Sequence, residues 1–362
     1  MFKKTFVSTI AMMYAFVVQA QSDSAAPPPA LSITGSADLY YKYDFSKSRG
    51  NNLTSFTNSH NRFELGMATV KIEHKTAKLD VVADLGFGKR AREFNYTDDN
   101  GNTSDIVLST IKQMYISYAP AAWVKFTAGT WATHVGYELV DAYLNRNYSM
   151  SYMFTNGPFS HTGFKVDLTA GKSGFMLGIA NPTDFKYVPD GVINKKFLLA
   201  QYSLAASENV KIYLNYVGGQ GIDTSKSSQF DAVVTAKLGD KFSIGYNGTV
   251  NSTKLHTGNN RFNSAKTWWG SALYLNLDPT SSFGLTLRGE YFSDKNQLKV
   301  YSGFGEGGTV FATTLSANFK LNSFIFIPEF RLDNASKDLF VKSNGSATSS
   351  SGSFLLAAIY SF

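Results

Sequence analysis

The chain has 362 residues, of which 15% are aromatic and 17% charged, and its formal net charge is +7. A mean hydropathy of -0.14 is too low for a bundle of membrane-spanning helices. The absence of cysteine excludes a disulfide framework and a lipid-modified cysteine, and the positive charge is too mild and too evenly spread to indicate nucleic-acid binding.

The first residues predict a signal peptide over residues 1–20. Lys3 and Lys4 precede an apolar run that ends in Val18-Gln19-Ala20, which suits a signal peptidase. This run is too short to cross a bilayer comfortably. We therefore expect an exported protein. Without the two lysines of the signal, it keeps 32 of the 34 basic residues and all 27 acidic ones, a net charge of +5.

Residues 21–30 contain three consecutive prolines and predict a flexible leader before a single β domain over residues 31–362. In this domain about sixteen segments alternate apolar and polar residues. This alternation is typical of strands with one apolar face and one hydrated face. For example, Leu285 and Leu287 alternate with Thr286 and Arg288. Charges on the wet face need water, so the pattern favours a closed barrel around an aqueous interior. A soluble two-sheet sandwich has the same periodicity.

Tight turns alternate with long polar connections between these segments. The tight turns are predicted near Lys75, Pro120, Gly171, Ala206, Gly239, Asp278 and Leu321. Short turns on one side and long loops on the other are typical of outer-membrane barrels.

The third long connection, from Trp131 to Gly157, breaks the alternation. It mixes Glu138, Asp141 and Arg146 with several tyrosines. A connection of this length is usually functional or disordered, and so many aromatic residues argue against disorder. We predict that this loop folds inward and that the strands form a wall around it.

The last residues, from Phe354 to Phe362, form a run in which every second residue is apolar. The run resembles the closing strand that the barrel assembly machinery of bacteria recognises in its clients, which implies that machinery as a partner. Together with the signal peptide and the loop asymmetry, it favours an all-β, antiparallel transmembrane barrel of about 16 strands in the cell outer membrane.

The third long connection carries short motifs, namely Gly136-Tyr137-Glu138, Asn147-Tyr148-Ser149, Ser151-Tyr152 and Pro158-Phe159. They resemble the signature region of the OmpL-like beta-barrel porin family of Gram-negative bacteria. The resemblance implies a porin-like barrel that contacts outer-membrane lipid and small polar solutes or ions, and a homo-oligomer is compatible with it. The family pattern often has a basic residue where this chain has Met150, so no charge selectivity is carried over.

The sequence shows no catalytic constellation. His134 and His161 bracket the third long connection, but the five histidines are not spaced as metal ligands. We expect no enzyme, no cofactor and no metal site. The tryptophans are predicted to lie in an aromatic girdle at the membrane interface; they are Trp123, Trp131, Trp268 and Trp269.

The favoured function is passive diffusion of small polar solutes, because barrels of about 16 strands leave an aqueous lumen. Charges at the narrowed point would set the selectivity. The candidate constriction residues are Glu138, Asp141 and Arg146 on the loop and Arg62, Lys165, Arg288 and Arg331 on the wall. For any single wall charge, plain hydration or pairing with a neighbour is the other interpretation. The alternative function is a structural or partner-binding barrel whose lumen is plugged by the loop tyrosines.

Overall fold

A computed structural model describes residues 30–98, 106–192, 195–258 and 261–362, which form a closed antiparallel barrel of sixteen strands. The predicted all-β transmembrane barrel is confirmed. The predicted signal peptide and the leader lie outside the described residues, except for Ala30, which begins the first strand.

The barrel strands and the small hairpins beside them are numbered in chain order. They are β1 (Ala30–Asp44), β2 (Arg62–Lys75), β3 (Leu79–Phe87), β4 (Ile111–Ala121), β5 (Val124–Ala132), β6 (Ser160–Ala170), β7 (Ser173–Ala180), β8 (Phe197–Ala205), β9 (Val210–Gln220), β10 (Lys226–Lys237), β11 (Phe242–Lys254), β12 (His256–Gly258), β13 (Arg261–Phe262), β14 (Lys266–Thr280), β15 (Phe283–Asp294), β16 (Gly308–Leu321), β17 (Phe324–Ala335), β18 (Phe340–Val341), β19 (Ala347–Thr348) and β20 (Ser350–Ser361). Strands β12 and β13 form one hairpin outside the barrel, and β18 and β19 form another.

Short helices occur in the loops. They are α1 (Lys89–Phe94), α2 (Ile106–Thr110) and α3 (Tyr152–Asn156), together with 3-10 turns at Arg49–Asn51, Tyr96–Asp98 and Ala142–Leu144. In the part of the chain that the structure describes, no helix combines the length and the apolar character that a membrane span requires.

The barrel closes where β1 pairs with β20. Their register runs from Ser36 opposite Ser361 to Asp44 opposite Ser353. Below this ladder Gly35 and Phe362 exchange backbone hydrogen bonds of 3.0 and 3.1 Å. The seam therefore joins the first strand of the barrel to the last.

Burial alternates along the strands with a period of two. In β15 Leu287 is 39% exposed, whereas Arg288 and Glu290 are fully buried. In β16 Leu315 is exposed, whereas Ser316 is buried. Successive side chains of a strand point to opposite faces, so one face of the wall is apolar and the other polar. An apolar outer face is what lipid requires.

Short turns join the strands at one end of the barrel and long loops join them at the other. The turn near Gly171 needs glycine, because its φ is +58° and only glycine adopts that conformation freely. The turn predicted near Asp278 lies slightly later, since β14 continues to Thr280. A register shift between Leu277 and Thr280 accommodates Pro279, which cannot donate to the ladder.

The tryptophans divide between the two faces. Trp123 and Trp269 are 61% and 43% exposed, whereas Trp131 and Trp268 are buried inside the barrel. The girdle prediction is therefore wrong for Trp131 and Trp268. Because Trp268 and Trp269 are adjacent in β14, the period of two places them on opposite faces.

Candidate functional site

The third loop, residues 133–159, connects β5 to β6 and contacts the polar face of distant strands. Glu329 of β17 accepts hydrogen bonds from two successive backbone N–H groups, those of Tyr148 and Ser149, at 2.7 and 3.1 Å. The Tyr148 hydroxyl donates to Asp38 of β1 over 2.5 Å. Burial raises the pKa of Tyr148 well above its usual range, so the hydroxyl stays protonated as a donor.

Two further wall carboxylates hold the loop backbone. Glu290 of β15 accepts from the N–H groups of Tyr152 and Met153, both at 2.9 Å. Asp231 of β10 accepts from Gly136 N–H at 3.1 Å. Hydrogen bonds to a charged acceptor are stronger than neutral ones, so these contacts fix the path of the loop.

Arg288 and Glu138 form a buried ion pair between β15 and the loop. The Arg288 Nη1 atom lies 2.5 Å from Glu138 Oε1 and 2.8 Å from the carbonyl oxygen of Ser149. Glu138 also accepts from the Tyr274 hydroxyl and from Ser151 N–H. The side-chain exposure is 0% for Arg288 and 5% for Glu138, so both charges are compensated by protein groups instead of water.

Two more arginines donate to loop carbonyl groups. Arg331 of β17 donates to the Met150 carbonyl over 2.7 Å and forms a bidentate ion pair with Asp333. Arg90 of α1 donates to the Val140 carbonyl over 3.2 Å and lies 3.8 Å from the Met150 sulfur. A basic side chain from another loop thus stands beside the methionine.

Asp141 reaches the opposite side of the barrel. The ammonium group of Lys112 in β4 lies 2.6 Å from Asp141 and 3.2 Å from Asp84 of β3. Glu138 contacts β14 and β15, whereas Asp141 contacts β4. Residues 138–141 of the loop therefore contact strands from opposite sides of the barrel.

Arg146 forms a partly hydrated cluster with the wall. Its guanidinium donates to both oxygens of Asp278 in β14 over 2.9 and 2.8 Å and to Thr286 over 2.7 Å. Lys320 of β16 lies 3.5 Å from the same carboxylate. The side chains of Arg146, Asp278 and Lys320 are 21%, 26% and 31% exposed, so they contact water.

The remaining candidates, Lys165 and Arg62, lie apart from these contacts. Lys165 of β6 pairs with Asp167 over 3.3 Å on a part of the wall where both side chains are still slightly exposed. Arg62 is exposed at the first residue of β2, and within the described residues no ion pair joins it to the loop. The structure thus brings five of the seven candidate residues into the third loop and its wall contacts.

Apolar packing fills the space around the loop. Each of four clusters of buried apolar side chains includes residues of the third loop. Tyr148 packs with Tyr40 and Ile327 in one of them, and Tyr152 packs with Phe292 in another. Both loop tyrosines are almost completely buried. These contacts tie the loop to buried side chains of several strands.

The two ends of the loop are held by titratable groups. At the start, a ring nitrogen of His134 lies 3.0 Å from the Tyr216 carbonyl oxygen, and burial lowers the pKa of His134 to about 4. At the end, Asp184 accepts from the N–H groups of Phe159 and Ser160 at 2.7 and 2.9 Å. Burial raises the pKa of Asp184 to about 6. Near their pKa values, both side chains are therefore charged in a smaller fraction of molecules than the same side chains free in water.

The inner face is not equally covered around the barrel. On β17 and β20, at the end of the short turns, Ile327, Ala357 and Ile359 are buried. On β7 and β8 the corresponding inner residues Gly174 and Ser203 remain partly exposed. On the side of the long loops, a small cleft between the loop and β10–β11 is lined by residues that include Pro158, Gln229 and Asn247.

The sequence reasoning missed most of the wall partners of the loop. Glu290, Glu329 and Arg288 were recognisable as inward-facing from the period of two, but no sequence signal paired them with particular loop residues. Nothing in the sequence indicated that Arg90 and Lys112 contact the third loop. In the described residues, no cluster of three or more metal-ligating side chains is found.

The family model described as "Putative beta-barrel porin-2, OmpL-like" matches residues 30–362. Comparison with curated proteins found no match.

Among solved structures, the outer membrane channel DcaP of Acinetobacter baumannii is similar with a TM-score of 0.60 at 10% identity, covering 92% of this chain and 97% of that one. An anion-selective porin from Comamonas acidovorans gives 0.62 at 9% identity, with 92% and 100% covered. Outer-membrane expressed OmpT of Vibrio cholerae gives 0.56 at 12% identity, with 95% and 99% covered. At these identities the likeness concerns the fold.

Proposed function

Because the chain belongs to the OmpL-like beta-barrel porin-2 family, whose barrel lies in the cell outer membrane, we propose that it lets small polar solutes diffuse passively. In this proposal the third loop is folded inward and narrows the lumen, and solutes pass along the inner face that it leaves uncovered. No catalytic step is involved.

The unequal covering of the inner face carries this proposal. We name β15, β16, β17, β20 and β1 the anchoring sector, because their inner side chains bind or pack against the third loop. We name the short-turn ends of β6, β7, β8 and β9 the open sector, because their inner residues Gly174 and Ser203 are only partly buried. Nearer the long loops, Met176, Leu199 and Val217 of these strands are buried against Val135 of the third loop. Solutes would pass beside the open sector, where the polar face of the wall is not sealed.

The candidate constriction residues then fall into two groups. Glu138, Arg288 and Arg331 are sealed and act as anchors. Asp141, Arg146 and Lys165 keep 13%, 21% and 11% of their side-chain surface exposed and would meet a solute. Arg62 stands outside both groups, at the exposed end of β2.

Because the natural chain contains no cysteine, a single introduced cysteine can be modified selectively, and the test uses such variants. In a planar bilayer, the Ser203→Cys variant should lose current when a negatively charged thiol reagent is added, because residue 203 faces the lumen. The neighbouring Leu204→Cys variant faces outward and is the matched control. Deletion of residues 135–153 should raise the conductance several-fold. Absence of current in the natural protein and in the deletion variant would contradict the proposal.

A second candidate function is a plugged barrel that serves a structural or partner-binding role. The burial of Tyr148 and Tyr152 in apolar clusters favours it. A protein without conductance that copurifies from detergent with one partner in a fixed ratio would support this candidate and exclude the channel.

Two partners complete the proposal. The closing strand β20 would be recognised by the barrel assembly machinery, and deletion of Tyr360–Phe362 should then reduce insertion in cells. A homo-oligomer is the other, since one OmpT structure of Vibrio cholerae is a trimer form. The mass of the purified protein in detergent tests it.

A further inference from the structure

Lys226 and Lys254 lie side by side on the outer face of the wall. They are directly opposite each other in the register of β10 and β11. In the same register Phe230 lies opposite Val250, and these residues are 59% and 41% exposed on the lipid side. Because each lysine is four residues from its apolar neighbour, the period of two places both lysines on the same outer face.

The lysine pair lies just beyond the aromatic residues of the outer face. Trp269 of β14 pairs with Val250, is 43% exposed and packs against Tyr291 at a ring distance of 5.2 Å. From Val250 to Lys254 the strand rises about 13 Å, and less along the membrane normal because barrel strands are tilted. Aromatic girdles mark the membrane interface, so the ammonium groups reach the polar headgroups on the side of the long loops.

Among the residues that the structure describes, no ion pair joins an acidic side chain to either lysine. Lys226 lies opposite the neutral Gln220 of β9, and Thr267 of β14, which shares the outward phase of Trp269, lies opposite Ser252. Asp223, the acidic residue nearest in the sequence, accepts hydrogen bonds from Ser225 in its own turn. Like charges directly opposite each other on two strands destabilise the sheet. An anionic group from outside the chain would relieve this repulsion.

A hairpin orients one of the two lysines. The Lys226 ammonium lies 4.2 Å from the centre of the Phe262 ring in β13, a cation–π contact. The hairpin also carries the exposed residues His256 and Arg261. The hairpin thus fixes Lys226 on an aromatic surface.

We propose that Lys226 and Lys254 bind the phosphate groups of a phosphorylated glycolipid of the outer leaflet. Lysine binds phosphate as a point charge, and a basic group at a membrane surface attracts anionic headgroups. The height of the pair above the aromatic residues and its outward direction favour a lipid over a solute of the lumen. The site is independent of whether the barrel conducts.

The test is a titration of the full-length protein in detergent with diphosphoryl lipid A, followed by native mass spectrometry. The double variant Lys226→Gln/Lys254→Gln should bind roughly tenfold more weakly than the natural chain. The matched control is Lys172→Gln/Lys241→Gln, which removes two exposed lysines from the turns at the opposite end of the barrel and should bind normally. Heat-modifiable migration on gels verifies that each variant is folded.

Three outcomes would overturn the proposal. The first is equal binding by the natural chain and the Lys226/Lys254 variant. The second is equal binding of lipid A and its dephosphorylated form. The third is a change in the oligomeric mass of the lysine variant without added lipid, which would assign the pair to a contact between copies of the chain. Loss of binding by the lysine variant alone, together with weaker binding in higher salt, supports the proposal.

Discussion

The anchoring sector and the open sector have the same strand architecture but different inner faces. In the anchoring sector Glu290, Arg288 and Glu329 are buried and hydrogen-bonded to the third loop. In the open sector Gly174 and Ser203 are small, neutral and partly hydrated. The comparison teaches that buried inward-facing charges of a barrel serve to anchor a loop. Where water remains, as around Arg146, the proposed function would have such charges act on solutes instead.

The physical reason is the cost of removing a charge from water. A buried ion pair recovers this cost only if further hydrogen bonds satisfy both partners. Arg288 and Glu138 meet this condition, since both have additional partners in the loop and the wall. Arg146 and Asp278 keep contact with water, so under the proposed function their field would still reach a passing ion.

Arg288→Met is expected to have the largest effect on the free energy of unfolding. An unchanged stability of this variant would contradict the distinction between the anchoring sector and the open sector. Removing the guanidinium leaves Glu138 buried without its main counter-charge, and losing one partner of a buried pair costs about 3–5 kcal/mol. Denaturant unfolding of the refolded protein in detergent measures the change. The control Arg62→Met removes an exposed arginine and should change the free energy of unfolding by less than about 0.5 kcal/mol.

A smaller loss is expected from Glu329→Gln, which keeps the shape of the side chain. The amide oxygen can accept from only one of the N–H groups of Tyr148 and Ser149, because the amide nitrogen is a donor and cannot accept from the other. The charge that strengthens both contacts is also lost. Hydrogen bonds to charged groups contribute about 1.5–3 kcal/mol, so we expect a loss of roughly that size or less. The same unfolding assay applies, with the partly exposed Glu73→Gln as the control. A larger effect of Glu73→Gln would mean that the anchors do not hold the loop.

The partly hydrated cluster of Arg146 and Asp278, beside the anchoring sector, is tested through ion selectivity. Arg146→Gln removes the guanidinium that forms a bidentate ion pair with Asp278, and it leaves the partly hydrated carboxylate in place. We expect the reversal potential in a salt gradient to shift towards cations by a few-fold in permeability ratio. The control Arg62→Gln should leave the ratio unchanged. A shift caused by Arg62→Gln alone would place the selective charges at the barrel end instead.

The smallest net effect is expected from pH, because the two ends of the loop respond in opposite directions. The pKa of His134 is lowered from 6.5 to about 4, so its stabilising contact is complete above pH 6.5 and is lost as the pH falls towards 4. The pKa of Asp184 is raised from 3.8 to about 6, so acidification from pH 6 towards 3.8 stabilises its end.

Hydrogen exchange corrected for intrinsic rates separates these opposing contributions. Between about pH 7 and pH 4.5, protection of the Gly136 amide should fall and that of the Phe159 amide should rise. His134→Gln should remove the acid effect at Gly136 and leave Phe159 unchanged. A parallel change at both amides would show that the loop opens as one unit.

The sequence was sufficient for the fold, because strand periodicity and turn chemistry are local. Gly171 and Gly239 marked tight turns correctly, and the alternation in β15 and β16 identified the outer and inner faces. The position of the turn after Pro279 was less certain from sequence, since a bulge lets the strand continue beyond a proline.

The site was only partly predictable, because its contacts join residues far apart in the chain. Glu138 and Arg288 were both candidates, yet nothing in the sequence separated this sealed pair from the hydrated Arg146 and Asp278. The tryptophans show the same limit. Trp131 and Trp268 belong to the interior because of the strand phase and not because of their residue type.

The seam between β1 and β20 has a consequence for how the molecule is made. Its partners, such as Ser36 and Ser361, lie at opposite ends of the described chain, so the seam forms only after the last strand has been synthesised and delivered. Until then the sheet has two unpaired edges, which readily pair with other chains. Joining distant segments is also slow, because loop closure must come before the contacts that reward it. The unclosed sheet is therefore the state most exposed to aggregation, and a helper that shields its edges would raise the yield of barrels more than any stabilising substitution in the finished wall.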